Sequence, residues 1–438
     1  MSHSRLQDIL TVGKRGTKDD MPPVGQMGSR SKSMHTFFLS SNHAYSALPL
    51  QQDLWPNISQ LEAPTKQTVY DCTDLECLCR FMNGEWKFGA FGSDCRLKGG
   101  NVLRTSVRRE YRKLSEEERI RYHKAMNEIK RNGEYDKLAK LYTTCATSPG
   151  AHGGPAFLPW HRVYLTRLEI ALRMVDPQVS LPYWDTTLEY ALPYPNDSIL
   201  WSKDLMGEEG RDGYVGESPF KNWTITRRVG KRGHLLRESD IETILNSTRY
   251  DQILAHTAAT AECRTRGYWT AIEYLHEEPH LYVGGDMEHF ANATNDPLFW
   301  NFHVMVDLIW ERWRKKNQNE TERETQYPNN DTKCSGPEHF AESPMIPFAG
   351  LRNIDGLSNN YTDNLYVYSE RPKCSKERPL ACNSRYLFCD ISRGDYHCAS
   401  KIKLGGFCRG VKTASGRTKT RAIKVFVEAI FVKRNLSG

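Results

Sequence analysis

Asp296-Pro-Leu-Phe-Trp-Asn-Phe-His-Val-Met-Val-Asp-Leu-Ile-Trp-Glu-Arg-Trp313 is the stretch whose reading decides the fold. The Asp296 carboxylate suits an N-cap, and Pro297 then takes the first helical position, where a missing N–H costs nothing. Phe299, Phe302, His303, Val306, Ile309, Trp310 and Trp313 recur at three- and four-residue spacing, which predicts a helix with one buried face. His303 lies in the middle of that face, with Asp307 one turn later. A single histidine on an apolar stripe is an ordinary core residue until matching histidines appear elsewhere.

They do appear. Ser115 and Glu118 form a capping box that starts a helix running to about Arg131, with Ile120, His123, Met126 and Ile129 on its inner side. Gly150-Ala-His-Gly-Gly-Pro155 reads as a loop that carries His152. A helix opened by Pro159 then places His161, Leu165, Leu168 and Leu172 on one face. His276 and His280 are spaced to stack on one side of a helix. Pro279 lies between them, so that helix is expected to begin near His276, leaving the proline in its first turn. Helical pattern also covers Glu238 to Ala259, residues 195 to 235 read as long surface loops, and Tyr366-Val-Tyr368 and Ile423 to Val432 have strand composition.

The chain has 438 residues and a net charge of +7, an excess partly gathered after Cys408 that reads as a solvated tail rather than a nucleic-acid surface. No apolar run is long enough to span a membrane. Residues 1–65 are polar and Ser-, Gly- and Pro-rich, as expected of a flexible leader or propeptide. Residues 66–370 form the main domain, beginning with a cysteine-rich lobe at Cys72, Cys77, Cys79 and Cys95. Residues 371–438 form an extension carrying Cys374, Cys382, Cys389, Cys398 and Cys408. With Cys145, Cys263 and Cys334 the cysteines number 12, an even count that suggests disulfides and an oxidising compartment. Asn-x-Ser/Thr sequons at Asn57, Asn196, Asn222, Asn246, Asn292, Asn319, Asn330, Asn360 and Asn435 agree with the secretory route, whereas Met1–His35 lacks the apolar core of a signal peptide.

Two histidine triplets therefore come from separate regions: His123, His152 and His161, then His276, His280 and His303. Neutral imidazoles suit Cu, Zn, Fe and Ni and disfavour Mg, Ca and Mn. One catalytic zinc needs only one triplet, so two triplets in an aromatic core suggest two metals sharing a small ligand.

The segments His-Gly-Gly-Pro-Ala-Phe-Leu-Pro-Trp-His-Arg162 and Asp296 to Trp313 resemble the two copper signatures of type-3 copper proteins, the tyrosinases, catechol oxidases and molluscan haemocyanin units. The likeness spans about residues 104 to 370. The cysteine-rich tail resembles that of invertebrate, especially molluscan, secreted members. The resemblance implies a mainly α fold, a central four-helix bundle holding a dicopper centre, with long loops and cysteine-rich extensions. It implies two copper ions, the first on His123, His152 and His161 and the second on His276, His280 and His303. It further implies a buried Arg162–Asp307 ion pair, and a Glu273 that orients water for phenol deprotonation. The implied activity is O2-dependent oxidation of phenols or catechols to o-quinones, outside the cell, in matrix cross-linking or pigmentation. Small phenols or protein tyrosyl and catechol side chains are the expected partners, without nucleic acid or membrane. An O2 carrier and a weakly active matrix protein are the alternatives.

The sequence departs from the family pattern in three places. Glu277 follows His276 where Asn or Asp is frequent; it is expected to face solvent from the first turn of its helix, the alternative being that it lies close to Glu273 at the mouth of the site, where mutual repulsion and burial would raise a carboxyl. Gly150 stands where a thioether-forming cysteine is common, and Phe302 where many members carry another histidine.

Overall fold

The computed structural model describes residues 67–89, 92–146, 149–255, 262–263, 271–408 and 410–414. The leader, the Cys145 side chain and the strand expected at Ile423 to Val432 lie outside them.

Seven helices matter here: α1 (Leu75–Phe81), α2 (Glu116–Arg131), α3 (Glu134–Ala146), α4 (Phe157–Val175), α5 (Glu238–Asn246), α6 (Ile272–Val283) and α7 (Leu298–Asn317). The architecture is mainly α, with α4 at the centre of a bundle against α2, α3 and α7, and α6 packed against α7. The capping box forms as expected, with Ser115 accepting from the Glu118 amide. On α2, Met126 and Ile129 are buried, but Ile120 is 44% exposed and leaves the inner face.

Helix α7 differs from its expected one-sided stripe. Every residue from Leu298 to Glu311 is buried, so the helix is covered on all sides. Its polar residues tolerate this because each finds a partner: the Asn301 amide donates to the Pro182 carbonyl at 2.8 Å, and Glu311 accepts from Arg162 and Arg314 at 3.0 Å each. Asp296 accepts from the Leu298 amide at 2.9 Å, but the helix opens at Leu298 and not at Pro297. The carboxylate has a larger task, a bidentate pair with buried Arg227 at 2.6 and 2.7 Å.

Helix α6 begins at Ile272, four residues before the expected start, and Pro279 sits in its interior. The proline removes the helical hydrogen bond to the Leu275 carbonyl. Ile272, His276, Tyr282 and Val283 are buried along the same helix, and that packing holds the register. Gly284 ends it at φ +65°. The pattern expected from Glu238 to Ala259 resolves into α5 and a short helix Tyr250–Ile253, with 256–259 outside the described residues. The loops between 195 and 235 run without long helices yet bury Leu200, Trp201, Met206, Phe220 and Ile225, so they are part of the core and not only of the surface.

Strands are peripheral. β1 (Glu85–Gly89), β2 (Gly92–Arg96) and β3 (Val102–Leu103) make an antiparallel sheet in the N-terminal lobe. β4 (Ser106–Arg108) pairs in parallel with β5 (Tyr366–Tyr368), closing the main domain. β6 (Leu387–Asp390) and β7 (His397–Ser400) form a hairpin in the extension. Disulfides join Cys72–Cys77, Cys79–Cys95, Cys263–Cys334, Cys374–Cys389 and Cys382–Cys398, and Cys408 is free. The extension is docked by Arg371, which pairs with Asp185 at 2.7 Å, and by a Ser198–Ser400 hydroxyl contact at 2.7 Å. Among the described residues, no helix is long and apolar enough to cross a membrane.

Candidate metal centre

The loop after α3 brings in His152. Gly153, at φ +86°, turns the backbone there, and its N–H donates to Glu273 Oε1 at 2.6 Å. A Cβ on Gly154 would meet the His339 ring at 2.7 Å, so this close approach needs glycine. Helix α4 then supplies His161, α6 supplies His276 and His280, and α7 supplies His303.

Five of the six histidines form one chain of ring contacts. His152 meets His161 at 5.1 Å between ring centroids, and His161 stacks on His303 at 4.5 Å. His303 lies 5.3 Å from His276 and 5.2 Å from His280. Phe157 packs against His161 and His276, and Phe299 against His303.

Backbone carbonyls fix three of the tautomers. The Nδ1 of His161 lies 2.8 Å from the Phe157 carbonyl, that of His276 lies 2.5 Å from the Glu273 carbonyl, and that of His280 lies 2.8 Å from the Met287 carbonyl. A carbonyl only accepts, so each Nδ1 carries the proton and each Nε2 carries a lone pair. His280 and His303 bring their Nε2 atoms to 3.0 Å. The ligand atoms of His276, His280 and His303 lie within 4.8 Å of one another. Burial, followed by neighbouring imidazoles, pushes His161, His276 and His303 well below the ordinary histidine range, and burial brings His280 to about 4. Neutral imidazoles with converging lone pairs in a dry site are the arrangement a metal cation satisfies. This triplet fits copper.

The first triplet is not assembled as expected. His123 makes ring contacts with Tyr111, Tyr122 and Phe220, and with none of the other histidines. Its Nε2 shares a 2.7 Å hydrogen bond with the Tyr111 hydroxyl, and it lines an outer groove with Arg121, Lys124 and Val175. A phenol satisfies this histidine, as it would any core histidine. The residue that does stand beside His152 and His161 is Tyr142 of α3.

Glu273 is 6% exposed, and burial drives its carboxyl well above the usual carboxylate range. Its Oε1 holds the His152 loop, while Oε2 is buried without a hydrogen-bond partner. Glu277 is half-buried, in the second turn of α6 and not the first, so the solvent-facing expectation does not hold. Burial, then Glu278, raises Glu277 to about 7, and it adds to the upward push on Glu273.

Beneath the histidines lies a charged layer that the sequence reading grasped only in part. Arg162 donates to Asp307 at 2.8 Å, as expected of that pair. Arg108 joins them, 3.4 Å from Asp307 and 2.7 Å from Glu169, and the hydroxyls of Tyr366 and Tyr368 donate to Asp307 at 2.8 and 2.5 Å. The Tyr-x-Tyr strand is thus tied to the same carboxylate as the ion pair. Periodicity cannot reveal Arg108, because it lies on a short strand far from α7 in sequence.

The family model described as the common central domain of tyrosinase matches residues 132–316. Tyrosinase-like protein tyr-3 of Caenorhabditis elegans is 44% identical over 357 residues, covering 80% of this chain and 50% of that protein. A tyrosinase-like protein of Pinctada maxima is 36% identical over 295 residues, 61% of this chain and 62% of that one. A tyrosinase of Streptomyces glaucescens is 33% identical over 235 residues, 48% of this chain and 84% of that enzyme. The chain belongs to the tyrosinase family. It spans about half the length of the nematode relative and under two thirds of the oyster one. Family membership implies a dicopper centre. Tyr142 and five of the histidines lie inside the matched region, and His123 lies before it.

Proposed function

We propose that this chain is a copper oxidoreductase that uses O2 to oxidise phenols or catechols to o-quinones. The observation that carries the reading is the buried triplet His276, His280 and His303, with two Nε2 lone pairs fixed by backbone carbonyls and a third imidazole against them. These three side chains would hold one copper, and His152 and His161 would contribute to a neighbouring position. Bound copper would supply the redox chemistry that passes electrons from the phenol or catechol to O2. The protein's own contribution is to keep the imidazoles neutral, to exclude water with Phe157 and Phe299, and to hold Glu273 against the His152 loop. Glu273 Oε2 is the atom proposed to take the phenolic proton.

Five disulfides among the described residues support an extracellular site of action. So does the exposure of every sequon asparagine within the described residues, Asn196, Asn222, Asn246, Asn292, Asn319, Asn330 and Asn360. A small phenol or the tyrosyl side chains of matrix proteins are the proposed substrates. A second reading, a matrix protein of the same fold with weak activity, is favoured by the failure of His123 to join the first triplet.

Copper-loaded protein offered a monophenol and a catechol in parallel, with oxygen uptake recorded, tests the reading. Uptake with catechol that disappears in His303→Ala supports it. Copper-loaded, folded protein without uptake on either substrate leaves the matrix reading.

A further inference from the structure

We infer that the first metal position is a two-imidazole, one-phenol site, with Tyr142 as the third donor beside His152 and His161. The inference rests on the copper reading above. It replaces His123, whose Nε2 is committed to the hydroxyl of buried Tyr111.

Sequence and packing place Tyr142 there. Tyr135, Leu138 and Tyr142 recur at helical spacing on α3, and all three are buried. The Tyr142 ring stacks on Tyr164 and meets Phe299 edge-on at 4.8 Å, which fixes where its hydroxyl points. That hydroxyl lies 3.1 Å from His152 Nε2, and its ring lies 5.6 Å from His152 and 6.0 Å from His161. His161 Nε2, a lone pair by its fixed tautomer, is buried and has no hydrogen-bond partner. An N···O separation of about 3 Å is also what two ligands on one small metal ion show, given bonds of about 2.0–2.2 Å. A cation in place of the shared proton would bind both atoms and satisfy His161.

A phenolate donor changes what the position does. It is anionic and harder than imidazole, so it favours the oxidised metal over Cu(I). The two positions are then unequal, a complete imidazole triplet beside a position biased toward Cu(II). Phenol oxidation by this chain should be slow compared with a centre holding six imidazoles.

The test loads the full chain with Cu(II) and records metal content, visible absorption and electron paramagnetic resonance. The variants are Tyr142→Phe, Tyr142→His and His123→Gln. Wild type is expected to show a phenolate-to-copper charge-transfer band. Tyr142→Phe keeps the ring packed on Tyr164 and Phe299, and should lose the band while the His276–His280–His303 copper stays. His123→Gln should keep both the band and the metal content of wild type. Tyr142→His should bind copper without the band and raise catechol oxidation at least tenfold. A wild type that holds copper but shows the same spectrum as Tyr142→Phe overturns the phenol donor alone, as does loss of a copper in His123→Gln. A wild type that takes up no copper overturns both this inference and the copper reading.

Discussion

Asp307→Ala probes the layer that joins the histidine helices. In the wild type this one carboxylate accepts from Arg162 Nε at 2.8 Å, from the Tyr366 and Tyr368 hydroxyls at 2.8 and 2.5 Å, and more weakly from Arg108 at 3.4 Å. Arg162 would keep Glu311 and Arg108 would keep Glu169, so neither guanidinium is left without a counter-charge. The Tyr366 hydroxyl and the Arg162 Nε–H would be orphaned in a dry interior, each at a cost of about 1–3 kcal/mol. With the weakened charge balance, the loss of stability should be about 3–5 kcal/mol. Urea unfolding followed by tryptophan fluorescence measures it, provided the slope with denaturant matches wild type. Asp307→Asn keeps one acceptor oxygen and should fall between the two. A change under about 1 kcal/mol in Asp307→Ala would refute the argument, because it would mean that the buried arginines need no such acceptor.

The same carboxylate predicts an acid limb. Burial opposes its ionisation, but Arg162, Arg108 and the Tyr368 hydroxyl outweigh burial and hold Asp307 below the usual carboxylate range. Its contribution is therefore fully present above the unfolded value of about 3.9 and is lost as pH falls through the lower folded value, so Asp307→Ala should show a shallower loss of stability below about pH 4. Arg227→Lys keeps the charge but cannot reproduce the fork on Asp296 or the bonds to the Met206 and Gly207 carbonyls, and should cost about 2–3 kcal/mol in the same urea assay. Peptide mapping of the unreduced protein should recover Cys374 linked to Cys389 and Cys382 linked to Cys398, and a swapped pairing would contradict the hairpin docked on Leu188.

The second histidine triplet was legible because it sits on long helices whose spacing is set by the α turn. His276 and His280 share a face whatever the start of their helix, so misplacing that start beside Pro279 did no harm to the pair. His123 shows the limit. A histidine on an apolar stripe gives the same pattern whether a phenol or a metal satisfies it, and only Tyr111, twelve residues away, decides the matter. Tyr142 was overlooked for the converse reason, since a tyrosine at core spacing on α3 reads as packing. The burial of α7 on every side from Leu298 to Glu311 was hidden because Asn301 and Glu311 look like a solvated face. Their partners come from distant segments that no local period reports.

The most direct test of the central claim is an anomalous-scattering map from crystals of copper-loaded protein, collected at the copper edge. The account predicts a copper peak bonded to the Nε2 atoms of His276, His280 and His303, three imidazoles already facing one another in the buried core. A triplet that stays empty while the protein is folded and copper is in excess would contradict it.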